Sequence, residues 1–128
     1  MNKHVYSKEA KKRWGNTDAY KESISKTTKY SKSDWETINE KAYFINNKLA
    51  HCMDKPIDDE EVQKLVQDWQ NHITKYYYNC TPDILRGLGE MYISEVRFKK
   101  NYDDIRPGLA QFFSDAIKRY CAIDNNVA

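Results

Sequence analysis

The chain has 128 residues, enough for one domain around a single core, and its 31% charged residues and mean hydropathy of −0.92 make that core small and rich in aromatics. No apolar run approaches the roughly 20 residues of a membrane span, and the first twenty residues, peppered with Lys and Glu, hold no signal-peptide stretch, so a membrane is excluded as partner and a cytoplasmic location is expected. The net charge of +2 divides into nine Lys/Arg against four Asp/Glu from Met1 to Asp34 and twelve against fifteen beyond, too weak and too interleaved with Glu9, Asp18 and Glu22 to predict direct nucleic-acid binding.

In chain order, the segment before Ser33 has Met1, Val5 and Ile24 as its only large aliphatic residues. Its burial cannot offset an ordering entropy of about 1–2 kcal/mol per residue, which predicts a loosely held arm docked on its own body. Gly15 and Asn16 interrupt a first short helical pattern, and Thr17 or Asp18 caps a second whose narrow stripe is Tyr20, Ile24 and Thr27. Ser33 with Glu36 reads as a capping box, opening a long helix with Trp35, Ile38, Ala42, Ile45, Leu49 and Cys52 on one face. Pro56 and Asp58 mark a turn. Asp58 with Glu61 reads as a second box, followed by the face Val62, Leu65, Val66, Trp69, Ile73, Tyr76 and Tyr77. Thr81-Pro82 is an N-cap with a first-turn proline, with Ile84, Leu85, Leu88 and Met91 or Tyr92 inward. A shorter helical piece holds Val96 and Phe98. After Arg106-Pro107-Gly108, a last helix carries Leu109, Phe112, Phe113, Ala116, Ile117 and Tyr120 and stops before a polar tail at Asp124. No strand pattern is present, and the fold class is all-α.

Several side chains invite chemical readings. Trp35, Trp69, Phe112 and Phe113 lie on regular apolar faces and are core residues. Three consecutive tyrosines, Tyr76-Tyr77-Tyr78, would point about 100° apart on a helix, so at least one must face a cleft or solvent. His72, a lone histidine one turn before Tyr76, reads as structural rather than as a metal or haem ligand; no cofactor is expected. Cys52, Cys80 and Cys121 lack Cys-x-x-Cys spacing and are read as reduced thiols. Cys80 stands before a helix N-terminus, where backbone N–H groups can lower a thiol pKa, but no base at triad spacing accompanies it and enzyme function is not expected. Gly87 and Gly89 inside a helix, each costing about 1 kcal/mol relative to Ala, suggest close approach by another backbone or a ligand.

The segment Arg13–Ser23, the Tyr77–Cys80 turn, Leu88-Gly89-Glu90-Met91-Tyr92, Arg97-Phe98 and Pro107-Gly108-Leu109 together resemble the TipAS antibiotic-recognition domain, the effector half of MerR-type transcription activators, from about Tyr6 to Cys121. The resemblance implies a globin-like helical domain that binds thiopeptides or other bulky, drug-like molecules, with an arm (1–33) closing over a helical core (34–123) ahead of a polar tail (124–128). The residues it implies for ligand contact are Trp14, Asn16, Asp18, Tyr20, Tyr77, Tyr78, Cys80, Leu88, Glu90, Met91, Tyr92 and Phe98, with Tyr77 and Tyr92 as the floor of the cleft. It also implies a departure. Thiopeptide receptors of this family carry a cysteine directly before Leu-Gly-Glu-Met-Tyr that captures a dehydroalanine of the drug, and Gly87 stands there. The winged-helix domain and coiled coil of such regulators are absent from this chain, which is expected to be monomeric: either a ligand sensor or a stand-alone drug sequesterer. The alternative is a module that docks partner helices and takes no small molecule.

Overall fold

A computed structural model describes residues 18–127 of the chain, with side chains from Asp18 to Ala122. Trp14, Asn16 and the first short helical pattern lie outside the described residues. The elements are α1 (Asp18–Thr27), α2 (Lys32–His51), α3 (Glu60–Tyr76), α4 (Pro82–Ser94), α5 (Val96–Ile105) and α6 (Leu109–Val127); among the described residues there is no strand.

Local chemistry sets each helix start. At α4 the expected cap is present: the Thr81 hydroxyl accepts from the Ile84 N–H at 3.2 Å, and Pro82 occupies the first turn. At α2 the box is not Ser33 with Glu36 but Ser31 with Asp34. Ser31 Oγ accepts from the Asp34 N–H at 3.1 Å, and Asp34 Oδ2 accepts from the Ser31 N–H at 2.9 Å. The two overlapping Ser-x-x-acid patterns offer the same kind of cap, one to each of two successive sets of first-turn N–H groups. The earlier one leaves Tyr30 just outside the helix, with its ring edge-on to Trp35 at 5.3 Å. At α3 the cap is Asp59 rather than Asp58, because the turn closes with the Asp59 N–H on the Pro56 carbonyl; the Asp59 carboxylate then accepts from the Glu61 N–H at 3.0 Å. A single extended residue, Glu95, separates α4 from α5. Gly108, at φ +91, turns the chain into α6 through a conformation that side chains disfavour. That last helix continues through Asp124-Asn125-Asn126 to Val127, past the point where the polar composition predicts a tail.

The core is continuous from α2 to α6. Leu49, Val62, Val66, Leu85, Leu109, Phe113 and Ile117 are fully buried, and burying side chains of this kind contributes about 1.5–3 kcal/mol each. Helices α4 and α6 pack most extensively. Gly89 is what permits it, since a Cβ there would lie 3.2 Å from Ile117 Cγ2. The close approach comes from a side chain of the next layer and not from a ligand. Gly87 has open space around its Cβ position and is exposed, so packing does not require it. The expected faces of α2, α3, α4 and α6 point inward except at Tyr76, with residues such as Trp35, Ala42, Ile45, Ile84, Leu88, Phe112 and Tyr120 only half-buried at their margins. Val96, by contrast, is 80% exposed, leaving Phe98 and Tyr102 to anchor α5.

Candidate ligand-recognition site

Helix α1 has no buried residue. Polar contacts hold it instead, at the C-terminal end of α3. Lys26 Nζ donates to the Thr74 carbonyl at 2.9 Å, the Tyr30 hydroxyl donates to the Tyr76 carbonyl at 2.6 Å, and the Asn79 N–H donates to Glu22 Oε1 at 3.0 Å. Thr74 and Tyr76 are among the last residues of α3, whose carbonyls have no partner within the helix. The arm therefore supplies the C-cap, and the Lys26 ammonium sits at the negative end of the α3 dipole. The Asn79 N–H, and then Lys26 at 3.2 Å, hold the Glu22 carboxyl below its ordinary pKa.

The three tyrosines do not share a helix. Helix α3 ends at Tyr76, and Tyr77 leaves helical geometry at φ −123, ψ −66. Tyr76 faces outward and accepts from Lys41 Nζ at 2.9 Å. Tyr77 and Tyr78 turn inward and are half-buried. The Tyr77 ring lies 6.2 Å from Trp35, and burial, with Tyr30 beside it, pushes its hydroxyl up to about 12. Tyr78 is raised further by burial and by the neighbouring Tyr92, Cys80 and Tyr77. Tyr77, Tyr78, Cys80 and Tyr92 are thus brought together, and Phe98 joins them with its ring 5.9 Å from that of Tyr92.

Within this group the depth differs from expectation. Tyr92 is only 4% exposed, its hydroxyl accepts from Trp69 Nε1 at 3.1 Å, and its ring packs on Tyr102 and Phe113. It is a core residue. Met91 is also buried, and Leu88 half-buried. Glu90, two positions or about 200° around α4 from Tyr92, is exposed and pairs with Lys118 at 2.9 Å. Asp18 is exposed in the first turn of α1, and Tyr20 is half-buried on the same helix. The helix N-terminus beside Cys80 does not activate its thiol. Burial, and then nearby Cys121, push it up to about 12, because desolvation of a thiolate outweighs the helix terminus. Its turn is clamped by the Cys80 N–H on Thr74 Oγ1 at 3.1 Å and by Gln70 Nε2 on the Cys80 carbonyl at 2.9 Å.

His72 takes the structural role. It is buried, stacks on Trp69 at 5.4 Å, and is held down to about 4 by burial and by the cations Lys41 and Lys75. Among the described residues no cluster of His, Cys, Asp or Glu has the makings of a metal site. No described helix is long and apolar enough to cross a membrane.

An open groove of about 720 Å³ lies between α2 and α3, edged by Lys41, Phe44 and Lys48 on one side and Leu65, Lys75 and Tyr76 on the other. Among the described residues, none of those singled out for ligand contact lines it. The sequence does hold a signal for it: Phe44 is an aromatic off the apolar stripe of α2, and it is 60% exposed.

An all-helical domain whose N-terminal arm caps an inner helix is the class that the fold and site define. The chain belongs to the TipAS antibiotic-recognition domain family, whose model matches residues 6–120. It is 40% identical over 114 residues to the HTH-type transcriptional activator TipA of Streptomyces coelicolor, covering 88% of this chain and 45% of that protein. To the HTH-type transcriptional activator mta of Bacillus subtilis it is 38% identical over 122 residues, covering 95% of this chain and 47% of that protein. The chain thus spans less than half the length of both relatives. Among solved structures it is similar to TipAS from Streptomyces lividans in complex with nosiheptide, with a TM-score of 0.88 and 36% identity over 97% of this chain and 88% of that one.

Proposed function

We propose that this domain binds bulky antibiotics or other drug-like molecules, thiopeptides foremost, without catalysing a reaction, and that it serves as the ligand sensor of a MerR-type activator or as a drug sequesterer. One observation carries the reading: nearly the whole chain is similar to a domain solved with a thiopeptide bound. The arm offers a mechanism. In its described part, polar contacts from Glu22, Lys26 and Tyr30 and the Tyr30 ring against Trp35 help hold the arm, and α1 buries no side chain, so a guest seated between arm and body would add apolar burial that α1 lacks. Binding and arm ordering are then coupled. Tyr20, Tyr77, Tyr78, Leu88 and Phe98, all partly exposed, are suited to direct contact together with Trp14, Asn16 and Asp18; Met91 and Tyr92 support them from below.

Binding is reversible in this reading. Gly87 has no thiol, and the Cys80 thiol is buried and protonated. Thermal-shift titration with nosiheptide tests the function: a guest that binds only the native state raises the melting temperature with concentration, and no shift at saturation would overturn it. Intact-mass spectrometry after the same incubation should show unmodified protein. Gly87→Cys, at a position with room for a side chain, should gain one drug mass as the thiol adds across the dehydroalanine double bond and its proton passes to the α-carbon.

A further inference from the structure

The α2–α3 groove combines exposed apolar surface with cations that have no anionic partner. Lys41 Nζ donates to a neutral phenol, that of Tyr76, and lies 5.6 Å from the centre of its ring; Lys75 Nζ lies 5.2 Å from the same ring. Further along, Lys48 Nζ sits 4.9 Å from the centre of the Phe44 ring. Among the described residues none of these three makes a carboxylate pair. The groove's own acids are largely engaged elsewhere: Glu61 with Lys55 and the Cys52 thiol, Asp68 with Lys64, leaving Glu40 at the rim. The positive field of the Lys41–Lys75 pair is felt by its neighbours. The Tyr76 phenol is held below its ordinary pKa, with Lys41 as the main cause, and both lysines help keep His72 neutral.

Two ammonium groups converging on one ring without an anion between them form an incomplete arrangement. Cation–π attraction at an exposed site is weaker than a charge-assisted hydrogen bond to a carboxylate. From the Lys41–Lys75 end, Phe44, Ile45 and Leu65 continue an apolar floor. Leu65 and Tyr76 are eleven residues apart on α3, about 16 Å at the helical rise, close to the length of an extended twelve-carbon chain.

We propose that this groove is a second binding site, for a small amphipathic anion whose carboxylate sits between Lys41 and Lys75 over Tyr76 and whose apolar tail lies along Phe44, Ile45 and Leu65. It is separate from the proposed arm-covered site, whose described residues lie on α1, α4, α5 and the turn after α3.

Dodecanoate below its micellar concentration is the probe, titrated into the whole chain by calorimetry and by amide chemical-shift mapping. Saturable one-to-one binding should appear, with shifts centred on Lys41, Phe44 and Tyr76. Acetate supplies the head alone and dodecanol the tail alone, and both should bind more weakly. Lys41→Gln/Lys75→Gln should weaken dodecanoate binding on the order of tenfold, as should Phe44→Ala, an exposed position whose change leaves the melting temperature in place. Nosiheptide should not displace the probe. Shifts centred on Tyr77 and Leu88, displacement by nosiheptide, or unchanged affinity in both variants would each overturn the second site.

Discussion

The Tyr30 hydroxyl donates to the main-chain carbonyl of Tyr76 at 2.6 Å, so a residue of the N-terminal arm closes the C-terminus of a core helix. Tyr30→Phe removes that bond while keeping the ring against Trp35. A hydrogen bond of this kind contributes about 0.5–1.5 kcal/mol net. The amides of α1 should exchange measurably faster in the variant while those of α4 and α6 keep their rates. Unchanged α1 exchange would mean that Lys26 and Glu22 hold the arm unaided.

Tyr92 separates core from site. The family resemblance implies a place for it in the floor of the cleft; the structure buries the ring among Trp69, Tyr102 and Phe113. Tyr92→Ala should therefore cost about 3–5 kcal/mol. Tyr92→Phe should cost about 1–3 kcal/mol by leaving the buried Trp69 N–H without its acceptor. Urea unfolding followed by circular dichroism measures both, and a Tyr92→Ala protein with wild-type stability would return the residue to the site.

The two glycines of α4 should respond in opposite directions. Gly87→Ala places a methyl in open space on an exposed helical surface and should stabilise by up to about 1 kcal/mol through helix propensity. Gly89→Ala brings a methyl to 3.2 Å from Ile117 Cγ2, so the Ile117 side chain must shift by a few tenths of an ångström, which offsets the same gain. Gly89→Val should destabilise outright. Melting temperatures of the three variants decide the matter.

His72 predicts a pH dependence. Its folded pKa, about 4, lies below its ordinary 6.5, so the unfolded chain binds a proton that the folded one refuses. Its contribution is therefore fully present above about pH 6.5 and is lost as pH falls towards 4, by on the order of 3 kcal/mol in all. Stability measured from pH 7 to 4 should fall less steeply in His72→Gln. An unchanged slope would assign the acid sensitivity to other groups.

Most of the helical frame is legible from residue spacing. The stripes Ile38–Leu49, Val62–Ile73 and Leu109–Ile117 repeat at helical period over many residues, so one misjudged cap does not change which face is buried. Cap positions were less legible for the converse reason. Ser31 and Ser33, like Asp58 and Asp59, are chemically equivalent choices, and the packing of Tyr30 on Trp35 and the Pro56 turn accompany the choices made. The site was read more coarsely still. Tyr77, Tyr78, Cys80, Tyr92 and Phe98 do gather, yet their depth is not encoded in their identity: a tyrosine serves in a core as well as on a surface when its hydroxyl has a partner.

The sequence by itself determined the all-helical class, the inward faces and the family, because periodicity and ordered motifs are properties of the chain alone. Only the tertiary structure decided that Tyr92 lies beneath the surface, that the Cys80 thiol is suppressed, and that Lys41 and Lys75 converge on Tyr76. Each of these depends on which helix packs against which, and burial and electrostatic fields are set by neighbours that are distant in sequence.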